Sequence, residues 1–173
     1  MTKHFLELGH LNSRMRDEDF NCAEAKDKEL CIGFMFHLSD ISNPTKPWNL
    51  CKLWADLIFV EFFAEGDLEK AHGFPVSQFY DRTTTNIAKS QLGFIDFIIK
   101  PAYVSVIKVF PNLAHLEHAL DDNKAHWEKS FDEYGGYLEN GNHQTEIIEK
   151  YLPTKVPNKT IVDVIMDLPS PPD

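Results

Sequence analysis

His37-Leu38-Ser39-Asp40-Ile41-Ser42-Asn43-Pro44 is the stretch on which the reading of this chain turns. It joins an apolar run, Leu30 to Phe36, to a turn closed by Pro44 and Pro47. A carboxylate set directly after an apolar helical run is costly to bury, so Asp40 requires a partner. A salt bridge, a helix-end hydrogen bond or a metal ion could supply it, and each gives the rest of the chain a different meaning.

Upstream, residues 1–16 place Phe5, Leu8, Leu11 and Met15 at helical spacing. Asp17 to Asp27 is polar and irregular, a connector. Asp27 is placed to cap a helix running to about Asp40, with Leu30, Ile32, Phe34, Met35 and Phe36 forming an almost wholly buried cylinder. Downstream, Pro47 suits the first turn of a helix from Trp48 to about Glu65, whose apolar residues keep a three-four rhythm. Gly66 reads as its stop, with a short helical turn over Asp67 to His72. Phe74 to Arg82 is an aromatic loop, either packed on the core or part of a ligand pocket. Thr83-Thr84-Thr85 offers N-caps to a helix carrying Ile87, Ser90, Phe94 and Ile98 near one stripe. Pro101 imposes a break or kink before Tyr103 to Phe110, and Asn112 opens a last helix ending near Gly135-Gly136. Residues 137–173 are proline-rich with little periodicity, which predicts a loosely packed or disordered tail. With no strand alternation, the reading is an all-α multi-helix bundle.

The totals narrow the function. A formal charge of -10 over 173 residues disfavours nucleic acid as a partner, although a bound dication can invert the local sign for a small phosphate ligand. The three cysteines, Cys22, Cys31 and Cys51, lack ligand-like spacing and read as buried or idle thiols of a reducing compartment. Met1 leads into an amphipathic pattern rather than a signal peptide, and the run Leu57 to Phe63 is too short to span a bilayer, so the expectation is a soluble, cytoplasmic protein with no transmembrane segment.

Three constellations carry chemistry. His37 and Asp40 share a helix face, yet a metal needs more ligands than these. His115 and His118 also share a face, which reads as solvated. Gln91 and Phe94, three apart, could grip a planar heterocycle by amide edge and ring face, or could be a surface Gln beside a core Phe. Glu61, inside an apolar run, calls for a buried hydrogen bond or a site that it serves.

The order of the motifs goes further. His37-x-x-Asp40-x-Ser42-Asn43-Pro44, Glu61-Phe62-Phe63, Gly66-Asp67-x-Glu69, Pro75-x-Ser77, Asp81-Arg82 and Ser90-Gln91-x-Gly93-Phe94-Ile95-Asp96-Phe97-Ile98-x-x-Pro101 occur in sequence. Together they resemble the class I cyclic nucleotide phosphodiesterase catalytic domain, over about Met1 to Trp127. The resemblance implies a helical fold and hydrolysis of a 3',5'-cyclic nucleotide, cAMP or cGMP, to the 5'-monophosphate by a hydroxide bridging two metal ions, zinc and magnesium. It implies Asp40 as a ligand of both metals, Gln91 as the purine hydrogen-bonding amide and Phe94 as one wall of an aromatic clamp. Ile58 matches the opposing apolar wall, and Asn43 a position that contacts the base in some members, with a lean towards cAMP. Glu61 matches a residue that orients a catalytic histidine from behind. The loop Phe74 to Arg82 looks like the family's mobile loop beside the pocket.

One departure counts as much. The family's other ligands and its general acid come from upstream HNxxH and HD segments absent from this sequence, and His4 and His10 lack that context. Residues 1–136 are therefore expected to be the C-terminal half of a catalytic domain, lacking its N-terminal half, with negligible hydrolysis alone and a tendency to homo-oligomerise through the face bearing Asp40, Ile58 and Phe94. The alternative is a non-catalytic helical module that keeps a nucleotide site or a partner surface.

Overall fold

The three-four spacing of apolar residues closes into helices in the computed structural model, which describes residues 2–131. The helix end expected at Gly135-Gly136 and the tail expected over 137–173 lie outside the described residues. Among the described residues six α-helices follow one another: α1 (Thr2–Arg14), α2 (Ala25–Asp40), α3 (Trp48–Ala71), α4 (Ile87–Phe94), α5 (Lys100–Val109) and α6 (His115–Lys129). Short 3-10 turns cover Asn43–Thr45 and Pro111–Leu113, and no strand occurs among the described residues. The all-α reading holds.

The chain forms two compact units, Met1–Leu53 with Ala88–Ser130, and a second built on Trp54–Ile87. In the first, α1 and α2 pack on α5, and α5 on α6. The pairs Leu8 and Leu11, Phe34 and Leu38, and Ala102 and Val106 are each three or four residues apart, so each helix turns one stripe inward to a core closed by Leu120.

Helix α2 departs from the sequence reading twice. Asp27 is not its cap: the helix begins at Ala25, and Glu24 ahead of it makes no side-chain capping bond. Asp27 is instead 1% exposed, taking Arg14 Nε at 2.8 Å, Arg14 Nη2 at 2.9 Å and the Asn21 amide N–H at 2.9 Å. The Asn21 N–H, followed by the Arg14 guanidinium, holds this carboxyl below its ordinary range against the opposing effect of desolvation. The fork ties the end of α1 to the start of α2, work that a capping position could not do. The cylinder is also not wholly buried. Cys31, Phe34 and Leu38 face the core, whereas Ile32 is 57% and Phe36 79% exposed.

Pro101 does not end its helix. A single π turn, Ile95–Ile99, interrupts the α ladder just before the proline and carries α4 into α5, so the break expected at Pro101 is a local change of helical hydrogen bonding and not a helix end. The last helix starts at His115 rather than Asn112, which lies in the 3-10 turn. Pro47 stands just ahead of α3, its carbonyl accepting the Leu50 and Cys51 amides at 2.9 Å each.

In the second unit α3 runs straight past Gly66, and the separate turn expected over Asp67 to His72 is its last stretch. The stop is Gly73, at φ 71°. There the Phe74 amide reaches the Glu69 carbonyl at 2.9 Å and the Gly73 amide the Lys70 carbonyl at 3.1 Å, the paired bonds of a left-handed helix cap. Gly66 serves another purpose. The Tyr80 carbonyl oxygen passes 2.0 Å from where its Cβ would stand, so only glycine lets the 74–82 loop lie on this face.

Motif side chains then clamp the loop to α3. Glu69 accepts the Ser77 N–H at 2.7 Å and its Oγ–H at 2.6 Å, while Arg82 donates to Asp67 at 3.1 and 2.5 Å. Lys70 donates to both Asp81 oxygens at 3.0 Å, and Tyr80 stacks on Phe62 at 4.4 Å. Asp81 also accepts the Thr83 hydroxyl at 2.6 Å and its N–H at 2.9 Å. The threonines expected as N-caps therefore belong to this turn, and α4 begins later, at Ile87. Thr83 first, then Lys70, holds the Asp81 carboxyl down at about 2, against an ordinary 3.8. A depressed carboxyl contributes stability above its unfolded-state pKa and loses it as pH falls through the folded one. Proteolysis within 74–82 should thus stay slow at pH 5 and accelerate between about pH 4 and 2, as an acid-active protease would read. A rate flat across that window would remove Asp81 from the clamp.

Candidate functional site

Asp40 is the last residue of α2 and is exposed. It has no hydrogen-bond or ion-pair partner among the described residues, so the buried, satisfied carboxylate that composition suggested is not what the fold makes. Its position is locally unfavourable, because a carboxylate at a helix C-terminus meets the negative end of the dipole, at a cost of about 0.3–1 kcal/mol. His37, one turn earlier, has its own explanation. Its Nε2 lies 2.9 Å from Nδ1 of His4, a buried residue of α1 for which the sequence offered no partner. Burial, then the neighbouring His37, lowers the His4 pKa, with weaker opposing pulls from the Ile98 backbone and Glu7. The pair joins α1 to α2.

Asn43 opens the 3-10 turn, half-buried. The turn closes on itself through the Ser42 carbonyl, which accepts the Thr45 amide at 2.9 Å and its hydroxyl at 2.8 Å. It is held from α6, where buried Asn123 donates to the Pro44 and Lys46 carbonyls, both at 2.7 Å.

Gln91 and Phe94 lie on α4, three residues apart on one face. Phe94 packs against the core edge. Gln91 is 6% exposed, and its Oε1 has no hydrogen-bond partner among the described residues. It is not the surface glutamine of the bland alternative. A buried amide oxygen without a donor costs about 1–3 kcal/mol, so the position marks a place where a ligand donor would fit. The segment just after it is again fixed from α6: Lys124 donates to Asp96 at 2.7 and 2.9 Å, and Lys100 pairs with Asp121. Consecutive residues of α6 thus anchor the two segments that carry Asn43 and Gln91-Phe94.

Sequence reasoning missed this anchoring, though a signal existed. Asn123 falls on the stripe Leu116, Leu120, Trp127, a lone amide on an apolar face, where a buried hydrogen bond is the expected explanation. Ile58 and Glu61 belong to the second unit, three apart on α3. Ile58 is half-buried. Glu61 is exposed, so no buried hydrogen bond explains it; Phe59 and Phe63 take the inward positions of that run. His115 and His118 are exposed, as expected of a solvated face.

Divalent metals fit these residues only in part. Among the described residues no three His, Cys, Asp or Glu side chains come together as a metal would require. Asp40 by itself offers one ligand. No described helix is long and apolar enough to cross a membrane.

Comparison with known proteins matches these observations to one family. The family model for 3'5'-cyclic nucleotide phosphodiesterase matches residues 1–120. The chain is 40% identical over 104 residues, 60% of its length, to a Caenorhabditis elegans protein named "Probable 3',5'-cyclic phosphodiesterase pde-1", covering 15% of it. It is 35% identical over 131 residues, 76% of its length, to the dual specificity calcium/calmodulin-dependent 3',5'-cyclic nucleotide phosphodiesterase 1B of Cricetulus griseus, covering 23% of that protein. The crystal structure of the phosphodiesterase domain of Salpingoeca rosetta rhodopsin phosphodiesterase superposes with a TM-score of 0.68 at 29% identity, over 81% of this chain and 44% of that one. The chain thus spans less than a quarter of the length of these curated relatives. Helical fold, motif order and family match agree, and the chain belongs to the 3'5'-cyclic nucleotide phosphodiesterase family.

Proposed function

We propose that these residues serve the hydrolysis of a 3',5'-cyclic nucleotide, cAMP or cGMP, within a catalytic domain longer than the 173 residues of this chain. The observation that carries the reading is the buried, unpartnered Oε1 of Gln91 beside Phe94. An amide in that state pairs with the edge of a purine, and the ring offers its face. Asn43, on its anchored turn, adds a contact to the base. Members of this family use divalent metal ions generally, and Asp40 is the residue here that would hold them; zinc and magnesium are the pair that the resemblance suggests. When bound, such ions supply charge neutralisation at phosphorus and a nucleophilic hydroxide. The unpaired Asp40 carboxylate at an unfavourable helix end supports its assignment as a ligand. Ile58 and Glu61 rest on family resemblance alone, Ile58 as an apolar contact and Glu61 as the residue orienting a histidine supplied from outside this chain. The three unbridged cysteines favour a cytoplasmic location.

Asp40, the one such ligand assigned among the described residues, cannot hold two dications by itself, so the 173 residues alone should not turn over cyclic nucleotide with zinc and magnesium supplied. Measurable turnover would overturn the partial-site reading. In the full-length gene product, Asp40→Ala should abolish turnover while Gln91→Ala chiefly raises KM. The chain by itself is expected to bind a purine weakly. Titration calorimetry with cAMP should give heat near 1 mM, about 4 kcal/mol of affinity, lost in Gln91→Ala. Absence of heat at millimolar cAMP, cGMP and AMP would count against the pocket. Heat without turnover in the full-length product would favour a non-catalytic nucleotide-binding module.

A further inference from the structure

The cysteines that read as idle from their spacing do not stand apart in the fold. Cys22, in the connector between α1 and α2, and Cys31, within α2, bring their sulfurs to 3.4 Å, and both are free thiols. Cys31 is buried in the core and Cys22 is partly exposed. The connector is held in place around them, since the Asn21 amide bonds to Asp27 and Arg14 reaches Asp17, Asp19 and Asp27. The contact is therefore a built one.

We propose that Cys22 and Cys31 form an oxidation-sensitive dithiol, which a hydroperoxide converts reversibly to an intramolecular disulfide. A disulfide needs its sulfurs about 2.05 Å apart, so the pair must close by a little over an ångström. Cys22 lies in a turn outside any helical ladder and can supply that movement, while Cys31 stays packed in α2.

The division of labour follows from exposure. Cys22, reachable from solvent, attacks the peroxide: its sulfur–oxygen bond forms, the oxygen–oxygen bond breaks, and an alcohol leaves, or water if the oxidant is hydrogen peroxide. Cys22 is then a sulfenic acid. The Cys31 sulfur attacks the Cys22 sulfur, the sulfur–oxygen bond breaks, and the departing hydroxide takes the Cys31 proton and leaves as water. Two thiols have lost two electrons and two protons, and the peroxide has gained them. Burial, then the contact with Cys22, raises the Cys31 pKa, with the Asp27 charge adding to it. Cys31 is thus a poor first nucleophile but is positioned to resolve the sulfenic acid. A small-molecule dithiol reverses the bridge by exchange.

The test exposes the full 173-residue chain to hydrogen peroxide, blocks free thiols with iodoacetamide and maps peptides without reduction. The expected product is a Cys22–Cys31 linked peptide, two hydrogens lighter than its parts and reversed by dithiothreitol. Cys51, fully buried, should stay a thiol alkylated only after unfolding. Cys31→Ser should stop at a Cys22 sulfenic acid trapped by dimedone, and Cys22→Ser should leave Cys31 reduced under the same exposure. Should either variant misfold, the wild-type map alone decides. Sulfinic acid at Cys22 with no linked peptide, or linkage only between two chains, would overturn the proposal.

Discussion

Replacing Trp127 with alanine is expected to lower folding stability by about 3–5 kcal/mol. The side chain is wholly buried in α6, the largest so enclosed among the described residues. It meets Trp48 edge-on at 4.8 Å between ring centroids. Burial pushes the nearby Cys51 thiol up to about 11, against a smaller lowering influence of the Trp127 side chain. Truncation removes the ring's dispersion contacts and leaves a cavity that neighbouring helices cannot fill without moving. Because domains of this size are stable by about 5–15 kcal/mol, the loss is a large share of the total. Urea unfolding followed by far-UV circular dichroism measures it. Trp127→Phe keeps much of the ring but loses the N–H, and should cost clearly less. A loss below about 1 kcal/mol for the alanine variant would mean that α6 is not a structural spine. The consequence would reach the candidate site, since Asn123 and Lys124 of the same helix hold the segments bearing Asn43 and Gln91.

Gly66→Ala should destabilise as well, and here two effects compete. Within a helix the change ordinarily stabilises, by about 1 kcal/mol. At Gly66 the new methyl would stand 2.0 Å from the Tyr80 carbonyl oxygen and 2.7 Å from its carbon. These are backbone atoms and cannot rotate away, so the 74–82 loop must leave the helix. Overpacking of this kind costs about 1–3 kcal/mol, occasionally more. Displacing the loop also releases the Glu69–Ser77, Lys70–Asp81 and Arg82–Asp67 contacts, each exposed and therefore individually modest. The clash wins, with a net loss of about 2 kcal/mol. A thermal melt and trypsin cleavage at Arg82 read it together, the melt falling and the cleavage rate rising. A melt that rises would show the loop seated elsewhere. The control is Gly33→Ala on α2, where a Cβ meets no atom within 4 Å and the ordinary helical gain should appear.

Gly66 illustrates why parts of this chain were readable and parts were not. As a letter, it fits a helix stop as well as a close approach. Gly73 was the actual stop, and the two could be told apart only by what lies against each. The same holds for Asp27, equally suited to a cap or a buried ion pair. Asn123 drew no reading from the sequence, although its place on the apolar stripe of Leu116, Leu120 and Trp127 is visible there. Gln91 stands differently. Its spacing to Phe94 named a possible grip on a heterocycle, and burial of its amide oxygen without a partner gave that possibility a physical basis.

Helical class, the order of the elements and membership of the phosphodiesterase family follow from local information. Apolar periodicity, proline and glycine positions and motif order all act over a few residues, and each is written directly along the chain. Polar pairing is not. Arg14 finds Asp27 across 13 residues, His4 finds His37 across 33, and Asn123 finds Pro44 across 79. Which of these groups lose water, and which partner replaces it, depends on helices meeting at a distance. The stretch His37 to Pro44 shows both sides. Its spacing marked Asp40 and Asn43 for chemistry, but packing alone assigned His37 to His4, tied the Asn43 turn to α6 and left the Asp40 carboxylate facing solvent.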